Sequence, residues 1–148
     1  MGNPISIPKV NFEDVQMAVK AGNGISSQAS SSDDFILINT LPIQFQNCLI
    51  KNTLPADIET EVVNGKMRNN YRTNIVIYGK NSQDDTVLDK YNQLRSLGFL
   101  NVYVYSGGLF EWLLLQDIYG SDLFETTSKT LDHLKYLGPR KFDVKYIT

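Results

Sequence analysis

Residues 74–105 read NIVIYGKNSQDDTVLDKYNQLRSLGFLNVYVY and hold two apolar runs joined by a stretch with helical spacing. The runs at 74–78 and 101–105 lack the alternation of half-exposed strands, which is typical of parallel strands buried on both faces. Between them, apolar residues recur at helical spacing over 84–97, and Gly98 follows as a stop signal. The pattern predicts a β-α-β unit with a right-handed crossover.

The rest of the chain supplies further elements of an α/β fold. An apolar run at 35–39 predicts another strand, and 11–20 predicts a short amphipathic helix that opens with an Asn cap. We also expect a helix at 55–63, a short helix running into a strand within 43–51, a largely buried helix from Gly108 to Gly120, and a final amphipathic helix at 127–137 before an extended tail at 144–147.

The composition narrows the classes of function. The chain has 148 residues, enough for one domain, and its net charge of −2 offers no basic surface for nucleic acid. Its single cysteine, Cys48, excludes an internal disulfide, and with the single histidine, His133, leaves too few ligands for a zinc or iron-sulfur site. We expect no metal or other cofactor. Because no apolar run is long enough for a bilayer span and no signal peptide is evident, we expect an intracellular, cytoplasmic protein.

The N-terminal segment, residues 1–10, carries a possible lipidation signal. Its first six residues, MGNPIS, fit the pattern for myristoylation of Gly2 after removal of the initiating methionine. The alternative is that Gly2 is only a small second residue before an extended segment shaped by Pro4 and Pro8. A single myristoyl chain binds membranes marginally, so an acylated Gly2 predicts reversible or partner-assisted membrane contact.

The loop after the 74–78 strand lies where α/β folds place their ligand sites. Its residues are Gly79, Lys80, Asn81, Ser82, Gln83, Asp84 and Asp85. The loop has no cysteine or histidine, and it has two carboxylates where the following helix begins. This composition favours binding over catalysis.

Residues 101–112, NVYVYSGGLFEW, resemble the strand, Gly-Gly pair and Trp-bearing helix of the rhodanese-like domain. Residues 74–78 are similar to the strand before that family's catalytic loop, 94–99 to its Leu-x-x-x-Gly-Phe crossover, and 35–42 to its early strand. The resemblance spans about residues 11–120, with a Gly/Ser-rich loop at 21–34, and leaves 121–148 as a C-terminal helical extension and tail. It implies an α/β fold with a central, mostly parallel five-stranded sheet and helices on both faces.

Residues 110–120 are further similar to a subgroup found in protists and large DNA viruses. This similarity adds a viral particle to the locations that the sequence suggests.

Several residues depart from the family's pattern. In active relatives a cysteine follows the strand and accepts sulfane sulfur, but here Gly79 stands at that position. Lys80 keeps one positive charge, whereas Asp84 and Asp85 stand where the family has its arginine and a small polar residue. Carboxylates at a helix N-terminus compete with an incoming anion for the same helix dipole. The resemblance therefore implies a catalytically inactive module that binds an unknown protein partner or has a structural role.

The early strand departs from the family in the same direction. Asn39 and Leu41 replace an aspartate and an arginine that often follow it. A charged pair near the loop is therefore missing as well.

An enzyme remains the alternative, as a sulfurtransferase that uses Cys48 or an unrecognised nucleophile. A lone cysteine beside Leu49-Ile50 is more often a buried apolar residue. Ser82 would need a neighbouring base, and we expect it to cap the next helix instead. The oxygens of Asn81, Asp84 and Asp85 are possible Mg²⁺ or Ca²⁺ ligands, but carboxylates at a helix start are more often a cap.

His133 and the aromatic residues also have two readings. We expect His133 to be a solvated helix residue. Tyr103, Tyr105, Phe110 and Trp112 are expected in the core, whereas exposure of Tyr105, Phe110 or Tyr119 beside the loop would create a binding patch. The oligomeric state is left open.

Overall fold

Five parallel strands form the central sheet of the computed structural model, which describes residues 6–21 and 34–142. The strands are β1 (Lys9–Val10), β2 (Phe35–Asn39), β3 (Thr53–Leu54), β4 (Asn74–Tyr78) and β5 (Val102–Tyr105). Their order is β1-β5-β4-β2-β3, and every described pair is parallel. The α/β class and the five-stranded parallel sheet are therefore confirmed.

Four helices connect and cover the strands: α1 (Phe12–Ala21), α2 (Ala56–Asn69), α3 (Thr86–Ser96) and α4 (Gly108–Tyr119). Short 3-10 helices follow at Ile43–Phe45 and His133–Tyr136. The predicted cap of α1 is present, because Asn11 Oδ1 accepts the Asp14 N-H at 3.0 Å and Asp14 Oδ2 accepts the Asn11 N-H at 3.0 Å.

Each central strand is buried on both faces, as its uninterrupted apolar run predicts. In β2, Ile36 and Ile38 pack with α2 and α3, whereas Leu37 packs with α1 and α4. The alternation of strand side chains thus divides the core into two layers, one on each face of the sheet. Phe124 and Tyr136, beyond α4, join the layer of α1 and α4.

The register places one loop at the centre of the carboxyl edge of the sheet. Asn39 at the end of β2 is paired with Tyr78 at the end of β4, and the Thr40 N-H donates to Tyr78 O at 3.0 Å. Because β4 lies between β2 and β5, residues 79–85 emerge in the position where parallel sheets bind ligands.

The predicted helix at 127–137 is wrong: only His133–Tyr136 is helical, as a 3-10 turn. The preceding residues bind a distant part of the chain instead. Thr127 donates its N-H to Leu49 O at 2.8 Å and accepts the Leu49 N-H on its hydroxyl at 3.0 Å, and the Ser128 hydroxyl donates to Asn47 O. Such side-chain bonds to backbone groups compete with helix formation.

Two other boundaries differ from the predictions. Residues 43–51 begin with the 3-10 helix but contain no strand at 48–50, where Ile50 makes only an isolated antiparallel bridge to Thr126; the edge strand is β3. The helix predicted at 55–63 begins at Ala56, after Pro55, and continues to Asn69 with Gly65 inside it. Gly2, residues 22–33 of the Gly/Ser-rich loop, and the tail at 144–147 lie outside the described residues.

Candidate functional site

The loop between β4 and α3 is organised by one carboxylate. Asp84 Oδ2 accepts the Lys80 N-H at 2.9 Å, and Oδ1 accepts the Thr86 N-H at 3.1 Å and the Thr86 hydroxyl at 2.6 Å. The carboxylate therefore caps α3 and also binds a backbone group of the loop itself. The capping role predicted for Ser82 belongs to Asp84, since the exposed Ser82 side chain makes no hydrogen bond to any described residue.

Gly79 is buried directly below this carboxylate. A Cβ atom at position 79 would lie 2.9 Å from Asp84 Cγ, closer still to Asp84 Oδ2, and 2.8 Å from Val87 Cγ2. These separations are too short for ordinary contacts between real atoms. The Asp84 carboxylate thus occupies the space that a side chain at position 79 would need.

Helix α4 begins against the same loop. The Leu109 N-H donates to Gly79 O at 2.9 Å, and the Phe110 N-H donates to Lys80 O at 2.8 Å. Gly108 has a positive φ of 69°, and a Cβ atom there would lie 2.8 Å from both Asn81 N and Gly79 O. The second glycine of the Gly-Gly pair is therefore required by backbone conformation and by the close approach of the loop.

The C-terminal segment passes over the loop, which the sequence reasoning did not predict. The Asn81 side-chain amide donates to Tyr136 O at 2.8 Å, and Asn81 Oδ1 accepts the Gln83 N-H at 2.8 Å. A Cβ atom at Gly138 would lie 2.6 Å from Gln83 Oε1, so the C-terminal segment and the loop are in close contact. The only local signal in the sequence was the Gly138-Pro139 break, which gives no destination.

This crossing separates two open hollows. One, of about 420 Å³, is bordered by Thr40, Lys80, Asp84, Asp85, Thr86 and Pro139 among others. The other, of about 470 Å³, is bordered by Ser82, Gly107, Phe110, Glu111, Leu114 and Pro139 among others. Of the predicted site residues, the structure thus brings 80–85 together around the C-terminal segment, with Gly79 buried beneath them.

Cys48 is not part of this arrangement. Its side chain is 2% exposed, lies in the core layer of α1 and α4, and donates its S-H to Ser128 O at 3.3 Å. It borders neither hollow. A thiol in this position acts as a small packing group.

The residues at the end of β2 form a neutral corner. The Asn39 amide donates to Leu54 O at 3.2 Å, and Asn39 Oδ1 accepts the Leu41 N-H at 3.0 Å and the Gln46 amide at 2.7 Å. The corner holds β2, β3 and the 3-10 helix at Ile43–Phe45 together. It presents no charge to the loop.

The aromatic residues divide between core and surface. Tyr105 and Trp112 are buried, whereas Phe110 is half-buried at the second hollow. Tyr119 is exposed, but at the end of α4 farthest from the loop. Of the three aromatics that could form the alternative binding patch, only the half-buried Phe110 lies at the surface beside the loop. His133 is half-buried in a 3-10 turn rather than solvated on an α-helix, and its Nε2 lies 3.2 Å from Thr130 O.

Tyr78 is a structural centre that the sequence did not indicate. Its fully buried hydroxyl accepts the Ile50 N-H at 3.1 Å and shares a 2.8 Å hydrogen bond with the Thr53 hydroxyl. Burial raises the pKa of Tyr78 above its usual range. Within residues 6–21 and 34–142, no three or more His, Cys, Asp or Glu side chains converge as a metal site would require, and no helix is long and apolar enough to cross a bilayer.

Comparisons with known proteins agree with this geometry. Residues 43–115 match the family model described as the rhodanese-like domain. The Alr3790 protein from Anabaena sp. is 19% identical with a TM-score of 0.53, and the match covers 85% of this chain and 97% of that one. The BH2092 protein from Bacillus halodurans is 15% identical with a TM-score of 0.52, and the match covers 76% of this chain and 74% of that one. No curated protein matches the sequence. The chain therefore carries a rhodanese-like domain, with its family match at residues 43–115.

Proposed function

We propose that this rhodanese-like domain does not transfer sulfur and acts as a protein-binding or structural module. The observation that carries the proposal is the pairing of Gly79 with Asp84. Sulfur transfer by a thiol needs a thiolate that attacks the sulfane sulfur of the donor. Gly79 has no side chain, and the Asp84 carboxylate fills the space where such a thiol would be placed.

The electrostatics of the loop support the same proposal. Anionic sulfur donors need free backbone N-H groups and positive potential at a helix N-terminus. Here the Lys80 and Thr86 N-H groups already donate to Asp84, whose negative charge repels a second anion. Lys80 points its ammonium elsewhere, 4.9 Å from the centre of the Phe45 ring.

The position of the C-terminal segment is consistent with binding rather than chemistry. Residues 136–139 cross the loop, and the two hollows beside it are open to solvent and are not closed cavities that exclude water. A partner protein would reach the exposed Ser82 and Gln83 at the rim of the second hollow.

Cys48 is the nucleophile of the alternative proposal, a sulfurtransferase. Its burial and its distance from the loop in the fold favour the non-catalytic proposal. The discriminating assay is cyanide-dependent formation of thiocyanate from thiosulfate or mercaptopyruvate, with Cys48→Ser and Ser82→Ala as matched variants. We expect no turnover in any of the three proteins. Turnover by the parent protein that is lost in Cys48→Ser would refute the non-catalytic role.

Binding is tested separately by site-specific photo-crosslinking in cells of the source organism. A photoreactive side chain at exposed Gln83 should capture one discrete protein, whereas the same group at exposed Leu100, on the amino edge of the sheet, should not. Equal labelling from both positions, or none from Gln83, would contradict a partner at the loop.

Membrane contact through an acylated Gly2, and a place in a viral particle, remain proposals from the sequence. Intact mass after co-expression with N-myristoyltransferase tests the first, since acylation adds one fatty acyl chain. An unmodified mass would remove it.

A further inference from the structure

The two short 3-10 helices lie side by side and share an aromatic contact. The ring centres of Phe45, in the first, and Tyr136, in the second, are 5.4 Å apart. The Tyr136 side chain is fully buried, which fixes the face of the second helix that points to the core. The opposite sides of both helices are turned to the solvent.

Large apolar side chains are exposed on and beside these two helices. Leu131, Leu134 and Leu137 recur every three residues and are 85%, 66% and 48% exposed. Leu134 lies in the second helix, Leu131 precedes this helix, and Leu137 follows it as the C-terminal cap residue. Ile43, in the neighbouring helix, is 86% exposed. We call these four residues the apolar ridge.

Basic residues flank the ridge. Residues 129–141 contain four basic residues and one acidic residue in a chain whose net charge is −2. The four, all exposed, are Lys129, Lys135, Arg140 and Lys141. Lys135 also directs its ammonium to the Phe45 ring at 5.4 Å, where Lys80 approaches at 4.9 Å.

Among the residues that the structure describes, no carboxylate forms an ion pair with these four basic residues. The ion pairs among the described residues use Lys51, Lys66 and Lys90. None of the basic residues beside the ridge has a carboxylate within ion-pair distance in the described part of the chain. The surface is thus both apolar and positively charged, although the chain as a whole is acidic.

We propose that the apolar ridge and its flanking basic residues dock onto an anionic lipid surface. Exposed leucines bordered by lysines and arginines are the composition of membrane-interfacial segments, in which the apolar groups enter the acyl boundary and the cations meet the headgroups. The inference does not depend on the proposed function or on acylation of Gly2.

The same observations argue against a protein partner or a second copy of the chain at the ridge. Leucine is under-represented among the residues that dominate protein interfaces, and the aromatic Tyr136 that would serve there is buried. Leu131 and Leu137 each border an open hollow, whereas Ile43 and Leu134 border neither of these hollows. A second copy of the chain would bring two equally basic segments together in a two-fold interface, where like charges repel.

Co-sedimentation with vesicles tests the proposal on the full-length protein made without N-myristoyltransferase. We expect binding to vesicles of phosphatidylcholine with 30% phosphatidylserine, weak binding to phosphatidylcholine alone, and loss of binding as salt is raised to about 0.5 M. Each basic residue near an anionic surface contributes about 1 kcal/mol, a factor of about five in partitioning. Lys129→Gln/Arg140→Gln/Lys141→Gln should therefore bind about 100-fold more weakly.

A second set of variants tests the leucines. Leu131→Ser/Leu134→Ser/Leu137→Ser should lower partitioning at least tenfold, whereas the control Leu88→Ser/Leu100→Ser, which changes leucines exposed elsewhere, should not. Because these side chains are exposed, circular dichroism should show both proteins folded. If the triple variant does not fold, Leu134→Trp provides the readout: its emission should shift to the blue with anionic vesicles, and that of Leu100→Trp should not.

Three results would overturn the proposal. The first is absence of binding to the anionic vesicles at low salt. The second is equal binding to neutral vesicles. The third is sedimentation as a dimer that the triple leucine variant dissociates, which would assign the ridge to a second copy.

Discussion

The contact between position 79 and Asp84 makes a quantitative prediction. In Gly79→Ala the backbone needs no adjustment, because Gly79 is not among the glycines with a positive φ. The cost comes from the new Cβ, which would lie 2.9 Å from Asp84 Cγ and 2.8 Å from Val87 Cγ2. The carboxylate must swing away and lose its bonds to the Lys80 and Thr86 N-H groups.

The magnitude follows from three terms. Overpacking against Val87 costs about 1 to 3 kcal/mol, and loss of an N-cap costs about 1 kcal/mol. Alanine also lowers the conformational entropy of the unfolded chain, which stabilises the folded protein by about 0.4 to 1 kcal/mol. We expect Gly79→Ala to lower the free energy of unfolding by about 2 kcal/mol and Asp84→Ala to lower it by about 1 kcal/mol.

The double variant separates this explanation from a general loss of packing. In Gly79→Ala/Asp84→Ala no carboxylate is displaced. The stability losses of the two single variants should therefore add up to about 1 kcal/mol more than the loss in the double variant. Urea unfolding followed by the fluorescence of Trp112, the single tryptophan and fully buried, measures all four proteins. Additivity within about 0.3 kcal/mol would refute the claim that Asp84 fills the space at position 79.

Gly65→Ala is the control for the effect of a new Cβ, because it makes the same substitution where the Cβ has room. Gly65 lies inside α2, and apart from its chain neighbours and its own helix backbone no described atom lies within 4 Å of the place its Cβ would take. The substitution should stabilise the protein by about 0.5 to 1 kcal/mol through helix propensity.

Three further predictions concern the glycine and tyrosine positions. Gly108→Ala should lower the free energy of unfolding by at least about 2 kcal/mol, because this position combines a positive φ with close backbone contacts. Gly120→Ala is the control: its φ is 102° but its Cβ would enter open space, so it should lower the free energy of unfolding by only about 1 kcal/mol in the same urea assay. Tyr78→Phe should cost about 1 to 3 kcal/mol because the buried Ile50 N-H loses its acceptor, and a change below about 0.5 kcal/mol would contradict that role. Burial raises the pKa of Tyr78, and it raises the pKa of Tyr136 to about 12. The contribution of the two neutral tyrosines to stability is therefore complete below pH 10 and is lost as the pH rises through 12, so urea midpoints should fall across that window. Tyrosinate absorbance from these residues at about pH 10 in folded protein would contradict this prediction.

Local patterns predicted the parts of the fold that local physics determines. The β4-α3-β5 unit follows from two apolar runs, a helical spacing between them and Gly98, whose φ is 108°. The helix predicted at 127–137 failed because Thr127 and Ser128 bind residues 47–49 of the chain, and no local pattern encodes that partner.

The candidate site was predictable to a similar extent. Its position, its lack of cysteine and histidine, and the presence of two carboxylates at the start of α3 could be read from the sequence. The different roles of the two carboxylates could not be read from the sequence. Asp84 turns into the loop, whereas Asp85 stays exposed. The return of Tyr136 to Asn81 has no signal in the local sequence, because it depends on a chain crossing between segments 55 residues apart.

The mutual fit of Gly79 and Asp84 also constrains the paths open to evolution. A cysteine introduced at position 79 meets the carboxylate, and removal of the carboxylate first takes away the cap of α3. Either order passes through an intermediate less stable than the starting sequence. Each single step therefore lowers stability, so the two positions are coupled and the loop resists conversion by single substitutions.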